Sequence, residues 1–297
     1  AEDCDAGWQC QSLEITCPEV AEPVQLKLLV GSPLNGPEIG TILFASGWTG
    51  EYPWAVDWQP RRRDLLNKLQ RDGFRVVQMV WRNNWWEGST DALEGPAKLA
   101  CRPATAVKWI FDHLHQTGRG SRAFCASGHS NGASQLAYAA VQYGQAELFD
   151  LLVLESGPNW SRLDLGCNRP GDPLFFADRE RHLVDTTFGF GPAELETAQG
   201  ICLQSAPLEL DRFAAASLAL GDWEYGSPQT SIRFLFGASD RSSTRLHGEA
   251  FAALARDADA ASYDSMVVPG ADHWVGNHPA GMLTLRSWIL KDCRSSR

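Results

Sequence analysis

The chain has 297 residues, 21% of them charged and 44% apolar, with a formal net charge of −10. That length can bury a substantial core in one elaborated α/β domain, and the composition is that of an ordinary globular protein. The acidic balance argues against a nucleic-acid partner, and no apolar run approaches the ~18 residues of a membrane helix.

In chain order, residues 24–30 and 41–45 are apolar runs of strand length, and residues 61–71 carry a helical pattern. A strand follows at 75–81 and a helix at 105–115. Residues 121–126 are short and apolar enough for a buried strand, and residues 133–140 are rich in helix formers. Another strand spans 151–155. Between 157 and 227 the pattern breaks into many Gly, Pro, Asp and Arg residues, with short helical pieces near 192–198 and 208–220. Regularity resumes with a strand at 232–236, a helix at 244–256, a strand at 265–268 and a helix at 279–291. No internal repeat or low-complexity linker divides the chain. The one basic run, Arg61-Arg62-Arg63, reads as a solvated helix face, with anion binding as the alternative.

Gly128-His129-Ser130-Asn131-Gly132 spell G-x-S-x-G between the strand ending at 126 and the helix starting at 133. The pentapeptide alone is a weak signal. A strand, a sharp turn at serine and a helix is the context that a nucleophile elbow requires. The turn exposes the Ser130 hydroxyl above the sheet, and two glycines let the helix pack close. The bland alternative is a glycine-rich turn whose serine caps the helix. A serine hydroxyl is a poor nucleophile at neutral pH. It needs a base within reach and a third group to fix the base's tautomer. Of seven histidines, only His273 follows the last predicted strand and precedes the last helix. His278 immediately precedes Pro279, and His129 neighbours the serine in a turn where adjacent side chains point apart. Asp240 closes the strand at 232–236, while Glu155, ending an earlier strand, is the alternative acid.

Ser130, then Asp240, then His273, each at a strand end, resembles the α/β-hydrolase superfamily over residues 25–293. The resemblance implies a mostly parallel central sheet flanked by helices, with residues 157–227 as a cap. It implies that His273 takes the Ser130 proton and that Asp240 orients His273. It also implies an oxyanion hole made by the backbone N–H groups of Asn131 and of Trp48, in the loop Ser46-Gly47-Trp48-Thr49-Gly50. That loop, with Asp72-Gly73-Phe74-Arg75-Val76-Val77, is similar to secreted cutinase-like polyester hydrolases. Asn131 stands where those enzymes usually carry Met, and so long a cap and so many cysteines depart from their pattern.

Eight cysteines without a C-x-x-C spacing predict disulfides and not a zinc site. The start at Ala1 without methionine suggests a mature form freed of a signal peptide, and hence secretion. Cys167 with Cys202 is the preferred local pair. The N-terminal cysteines pin the first segment, with Cys293 as a candidate partner, and Cys125 on the elbow strand is a candidate free thiol. Asn159-Trp160-Ser161 is a glycosylation sequon, meaningful in a eukaryotic source.

Twelve tryptophans are the other unusual feature. Trp48, Trp54, Trp85 and Trp86 fall in strand-end loops, where α/β folds bind ligands, and Trp274 follows His273. These five are the candidate substrate-binding residues, although any single ring is also a plausible core anchor. The sequence therefore predicts a secreted serine hydrolase acting on carboxylic esters, aromatic or polymeric ones included, without metal or organic cofactor. A serine peptidase on the same fold and a non-catalytic binding protein are the alternatives.

Overall fold

The computed structural model describes residues 4, 7–56, 58–89, 93–115, 122–190, 200–205, 209–220, 227–258 and 260–293. Among the described residues, eight strands form one sheet: β1 (Gln9–Cys17), β2 (Val20–Gly31), β3 (Gly40–Ala45), β4 (Phe74–Trp81), β5 (Ala123–His129), β6 (Leu151–Glu155), β7 (Ser231–Gly237) and β8 (Ser262–Val268). Their order in the sheet is β1-β2-β4-β3-β5-β6-β7-β8. The pairs β1–β2 and β2–β4 are antiparallel. Every pairing from β4 through β3, β5, β6 and β7 to β8 is parallel. The carboxyl ends of β3, β5, β6, β7 and β8 therefore share one edge, where the loops that carry chemistry can meet.

Strand alternation builds two apolar layers. Leu43, Val77, Phe124, Leu152, Leu154, Phe234 and Phe236 face one side. Ile42, Phe44, Val76, Cys125, Val153 and Leu235 face the other. Helices α3 (Cys101–Ile110), α4 (Asn131–Val141) and α8 (Ser243–Arg256) contribute to the first layer. Helices α1 (Pro60–Arg71) and α9 (Pro279–Asp292) cover the second. Strands buried on both faces read as continuous apolar runs, which is why β3, β5 and β6 were legible.

The sequence reading misses β1. As an edge strand it buries only alternate residues, and Gln9, Gln11, Ser12 and Glu14 dilute the pattern. β8 begins three residues earlier than expected, because Ser262, Tyr263 and Asp264 pair with Ser231, Ile232 and Arg233 of β7 although they add no apolar run. The helix predicted over 105–115 starts at Cys101 and ends in a wider π turn over Phe111–His115. Between β6 and β7 lie α5 (Leu163–Asn168), α6 (Asp178–Thr187) and α7 (Leu210–Ala216). The first two are absent from the sequence reading, and α7 is shorter than the piece expected at 208–220. The helical piece expected at 192–198 lies outside the described residues. A short helix, α2 (Gly95–Leu99), precedes α3.

Four disulfides join Cys4 to Cys10, Cys17 to Cys101, Cys125 to Cys293, and Cys167 to Cys202. Cys125 is thus not a free thiol, because α9 packs in the same apolar layer as Cys125 and its end brings Cys293 to it. Among the described residues, no helix is long and apolar enough to cross a membrane.

Candidate active site

Ser130 sits between β5 and α4 with φ 54° and ψ −119°. L-residues rarely adopt this backbone region, and such strain clusters at functional sites. Its surroundings require two glycines. A Cβ on Gly128 would lie 2.3 Å from the Gly132 carbonyl oxygen, and one on Gly132 would lie 2.1 Å from that of Ala45. The Ser130 N–H donates to the Glu155 carbonyl at 2.8 Å, tying the turn to β6.

The loops after β7 and β8 are stitched together by backbone bonds from Ala238 to Val268 (3.0 Å) and from Ser239 to Ala271 (2.8 Å). This places Asp240 against His273, with Nδ1–H donating to Oδ2 at 2.9 Å. The bond fixes the tautomer, so Nε2 carries the lone pair. The other Asp240 oxygen accepts from the N–H and hydroxyl of Ser242 at 2.9 and 2.6 Å. Burial pushes the Asp240 pKa up, but the bonds from His273 and Ser242 outweigh it and hold the carboxyl below its ordinary value. The His273 ring stands 5.1 Å from the ring of His129, the residue before Ser130. Asp240 and His273 are thus joined, and His273 lies next to the residue that precedes Ser130.

Glu155, the alternative acid, turns elsewhere. It accepts from the Ser127 hydroxyl at 2.7 Å and faces Arg62 at 3.8 Å, both side chains buried. Arg62 is accordingly not part of a solvated face. Its guanidinium lies 4.4 Å from the Trp54 ring and 5.6 Å from that of Trp274. The second residue of a charge run at a helix start can turn inward, and here a buried carboxylate awaits it. His129 packs beneath the elbow, its ring 4.7 Å from Trp274.

Ser46–Gly50, after β3, runs beside the elbow. A Cβ on Gly47 would touch the Ser130 Cβ at 3.0 Å. Trp48 has φ 54° and is 38% exposed. Its carbonyl accepts from the Asn131 side chain at 3.2 Å.

The tryptophans divide. Trp48 and Trp274 are each 38% exposed. Trp54, Trp85 and Trp86 are fully buried, so the expectation that they line a substrate surface is corrected. Trp54 packs on Phe44. Trp85 and Trp86 lie against Trp160 from the segment after β6, and Arg102 holds their loop through the Trp85 and Glu87 carbonyls. Exposed rings are instead Tyr52 and Trp58, the latter edge-on to Trp274 at 5.7 Å.

One residue at the site was read for something else. Asn159 is buried, with its side-chain nitrogen 3.4 Å from the Ser130 hydroxyl and hydrogen-bonded to the Asn131 side-chain oxygen. A sequon asparagine so enclosed has no room for a glycan. The signal that could have found it is its place just past the strand beside the elbow.

No family model matches the chain, and no curated protein matches it. Solved structures do. An esterase from the archaeon Pyrobaculum calidifontis is 14% identical with a TM-score of 0.57, over 95% of this chain and 85% of that one. A bacterial heroin esterase is 14% identical with a TM-score of 0.58, over 99% and 87%. An acylaminoacyl peptidase from Pyrococcus horikoshii is 11% identical with a TM-score of 0.57, over 99% of this chain and 43% of that one. At these identities the likeness is one of fold, and the chain has the α/β-hydrolase fold.

Proposed function

We propose that the chain is a serine hydrolase of carboxylic esters, with Ser130 as nucleophile. The observation that supports this is the Asp240–His273 hydrogen bond of 2.9 Å, with the His273 ring 5.1 Å from that of His129, the residue before a serine with φ 54°. Ser130 Oγ attacks the ester carbonyl while His273 Nε2 takes its proton. Asp240 stabilises the imidazolium through Nδ1–H. The carbonyl oxygen becomes negative and is held by the N–H groups of Asn131 and Trp48. His273 then protonates the departing alcohol, leaving an acyl group on Ser130. Water, activated by the same imidazole, releases the acid.

Trp48 and Trp274 supply the apolar surface for the substrate, with Trp58 beside them. Polyester as substrate rests on the loop motifs alone. The segment 157–227 acts as a cap, a reading supported by Arg179 at the start of α6, whose guanidinium lies 4.4 Å from the Trp48 ring. Secretion is consistent with the four disulfides.

A fluorophosphonate probe tests the proposal directly. Wild type should be labelled on Ser130 and hydrolyse a p-nitrophenyl ester, and folded Ser130→Ala should do neither. Retained turnover in that variant would remove the assignment. Because the fold also carries a peptidase, esters and amides of matched acids should be compared. Faster amide cleavage would favour the peptidase reading, and no labelling at all a binding protein.

A further inference from the structure

Trp48 holds a sparsely populated backbone conformation without being glycine, so its surroundings must over-determine it. The peptide planes on both sides of its Cα are indeed fixed. The Gly47 carbonyl accepts from the Gly50 N–H at 3.1 Å, and the Trp48 carbonyl accepts from Asn131 Nδ2 at 3.2 Å. A trans peptide points its N–H opposite its carbonyl, so holding the Gly47 carbonyl aims the Trp48 N–H away from the turn.

The polarity of the contacts beyond Trp48 then follows from chemistry. A backbone carbonyl only accepts, so the Asn131 nitrogen must face it. The Asn131 oxygen therefore faces Asn159, and the Asn159 nitrogen must face that oxygen. The second hydrogen on that nitrogen is directed at Ser130 Oγ, 3.4 Å away. Asn159 is itself held by its own N–H, which donates to the Ser134 hydroxyl on α4 at 2.9 Å. A serine oxygen that accepts from Asn159 keeps its single proton for another acceptor, the role the proposed mechanism gives to His273.

We propose that Asn131 and Asn159 are positioning residues, a two-amide relay that pins the Trp48 carbonyl at one end and orients the Ser130 hydroxyl at the other. The relay rests on the reading of Ser130 as nucleophile and of the Trp48 N–H as oxyanion donor. It assigns the two side chains a role distinct from that of the Asn131 backbone. It aligns the loop after β3 with the loop after β5, which no backbone hydrogen bond between Trp48 and Asn131 would otherwise do. Losing the Asn131 amide releases the peptide plane of the Trp48 carbonyl, and losing Asn159 frees Asn131 to turn from it; either loosens one side of the Trp48 Cα, and the oxyanion loses part of its cradle in the transition state more than in the ground state.

The isosteric variants Asn131→Asp and Asn159→Asp test it, since each turns a donor into an acceptor at constant volume. Kinetics on p-nitrophenyl acetate should be normalised to live sites counted by fluorophosphonate titration. The relay predicts that kcat per site falls about ten- to hundred-fold in each, with KM within about threefold. Affinity for a trifluoromethyl ketone, whose adduct carries the oxyanion, should fall by the same factor as kcat/KM. The double variant Asn131→Ala/Asn159→Ala should lose no more than about the worse of the single variants Asn131→Ala and Asn159→Ala, because the two amides act in series. Wild-type kcat per live site in both isosteric variants would overturn the relay, and so would failure of both to fold, which would make the pair scaffold. Ser130→Ala in the same series separates the two readings. If it is inactive while the asparagine variants match wild type, only the relay falls; if it remains active, the nucleophile assignment falls with it.

Discussion

Arg62 and Glu155 face each other at 3.8 Å with side-chain exposures of 1% and 0%. They lie beneath the site, joining α1 to the end of β6. Burial pushes the Glu155 pKa up, opposed by Arg62 and by the Ser127 hydrogen bond. Burial also pulls Arg62 down to about 10, so it stays charged at neutral pH. Such a pair adds little net stability, but stranding one partner is costly. Arg62→Met should therefore destabilise by about 3–5 kcal/mol, and Arg62→Met/Glu155→Gln by clearly less. Urea unfolding of both variants checks this. Equal losses would mean that Arg62 acts through packing on Trp54 and not through charge.

Glu155 ends β6 and Asp240 lies in the loop after β7, yet only Asp240 reaches His273. Asp240→Asn should cost on the order of 10⁴-fold in kcat, since the imidazole would lose its tautomer and its counter-charge. Glu155→Gln should leave kcat within about tenfold and act chiefly on stability. Steady-state rates on folded protein decide it, and the reverse ranking would move the acid to β6.

The buried and exposed tryptophans should behave differently. Trp85→Ala and Trp86→Ala empty a packed layer against Trp160 and should cost about 3–5 kcal/mol of stability. Trp58→Ala and Trp274→Ala remove exposed rings beside the site. They should lower kcat/KM for bulky aromatic esters about ten- to hundred-fold and leave acetyl esters nearly unchanged. Thermal melts and a substrate series distinguish the two groups. A uniform loss across esters in the Trp58 variant would assign that ring to the scaffold.

His247 on α8 gives the stability a pH dependence. Its ring accepts from the Arg162 N–H at 3.2 Å and bonds the Leu174 carbonyl at 2.9 Å, stacked on Phe176. Burial lowers its pKa from 6.5 to about 4. The unfolded chain thus takes up a proton that the folded chain refuses. The His247 contribution is fully present above pH 6.5 and is lost as pH falls towards 4, by up to about 3 kcal/mol. Asp185 has the opposite sign, because burial raises its carboxyl to about 6 and favours the acid side. The difference in unfolding free energy between wild type and His247→Phe isolates the histidine. That difference should shift against wild type across this range, and a flat difference would refute the coupling.

The sequence alone located the strand–turn–helix at Ser130 and the strand-end loops that carry Asp240 and His273, because each signal is local. A buried parallel strand is a short apolar run, a sharp turn needs its glycines, and strand ends follow from where those runs stop. It also determined that Cys167 and Cys202, in one segment, are neighbours. What only the tertiary structure decided is what each side chain meets across long stretches of chain. Cys125 finds Cys293 over a separation of 168 residues. Trp85 and Trp86 are core because Trp160 covers them, and no pattern in their own loop distinguishes a covered ring from an open one. Arg62 is buried because β6 ends in Glu155, whereas its neighbours in the same basic run are exposed. Asn159 resembles any surface sequon until the loop after β6 is folded against Ser130. Burial and pairing are properties of two surfaces brought together, and a linear pattern carries only one of them at a time.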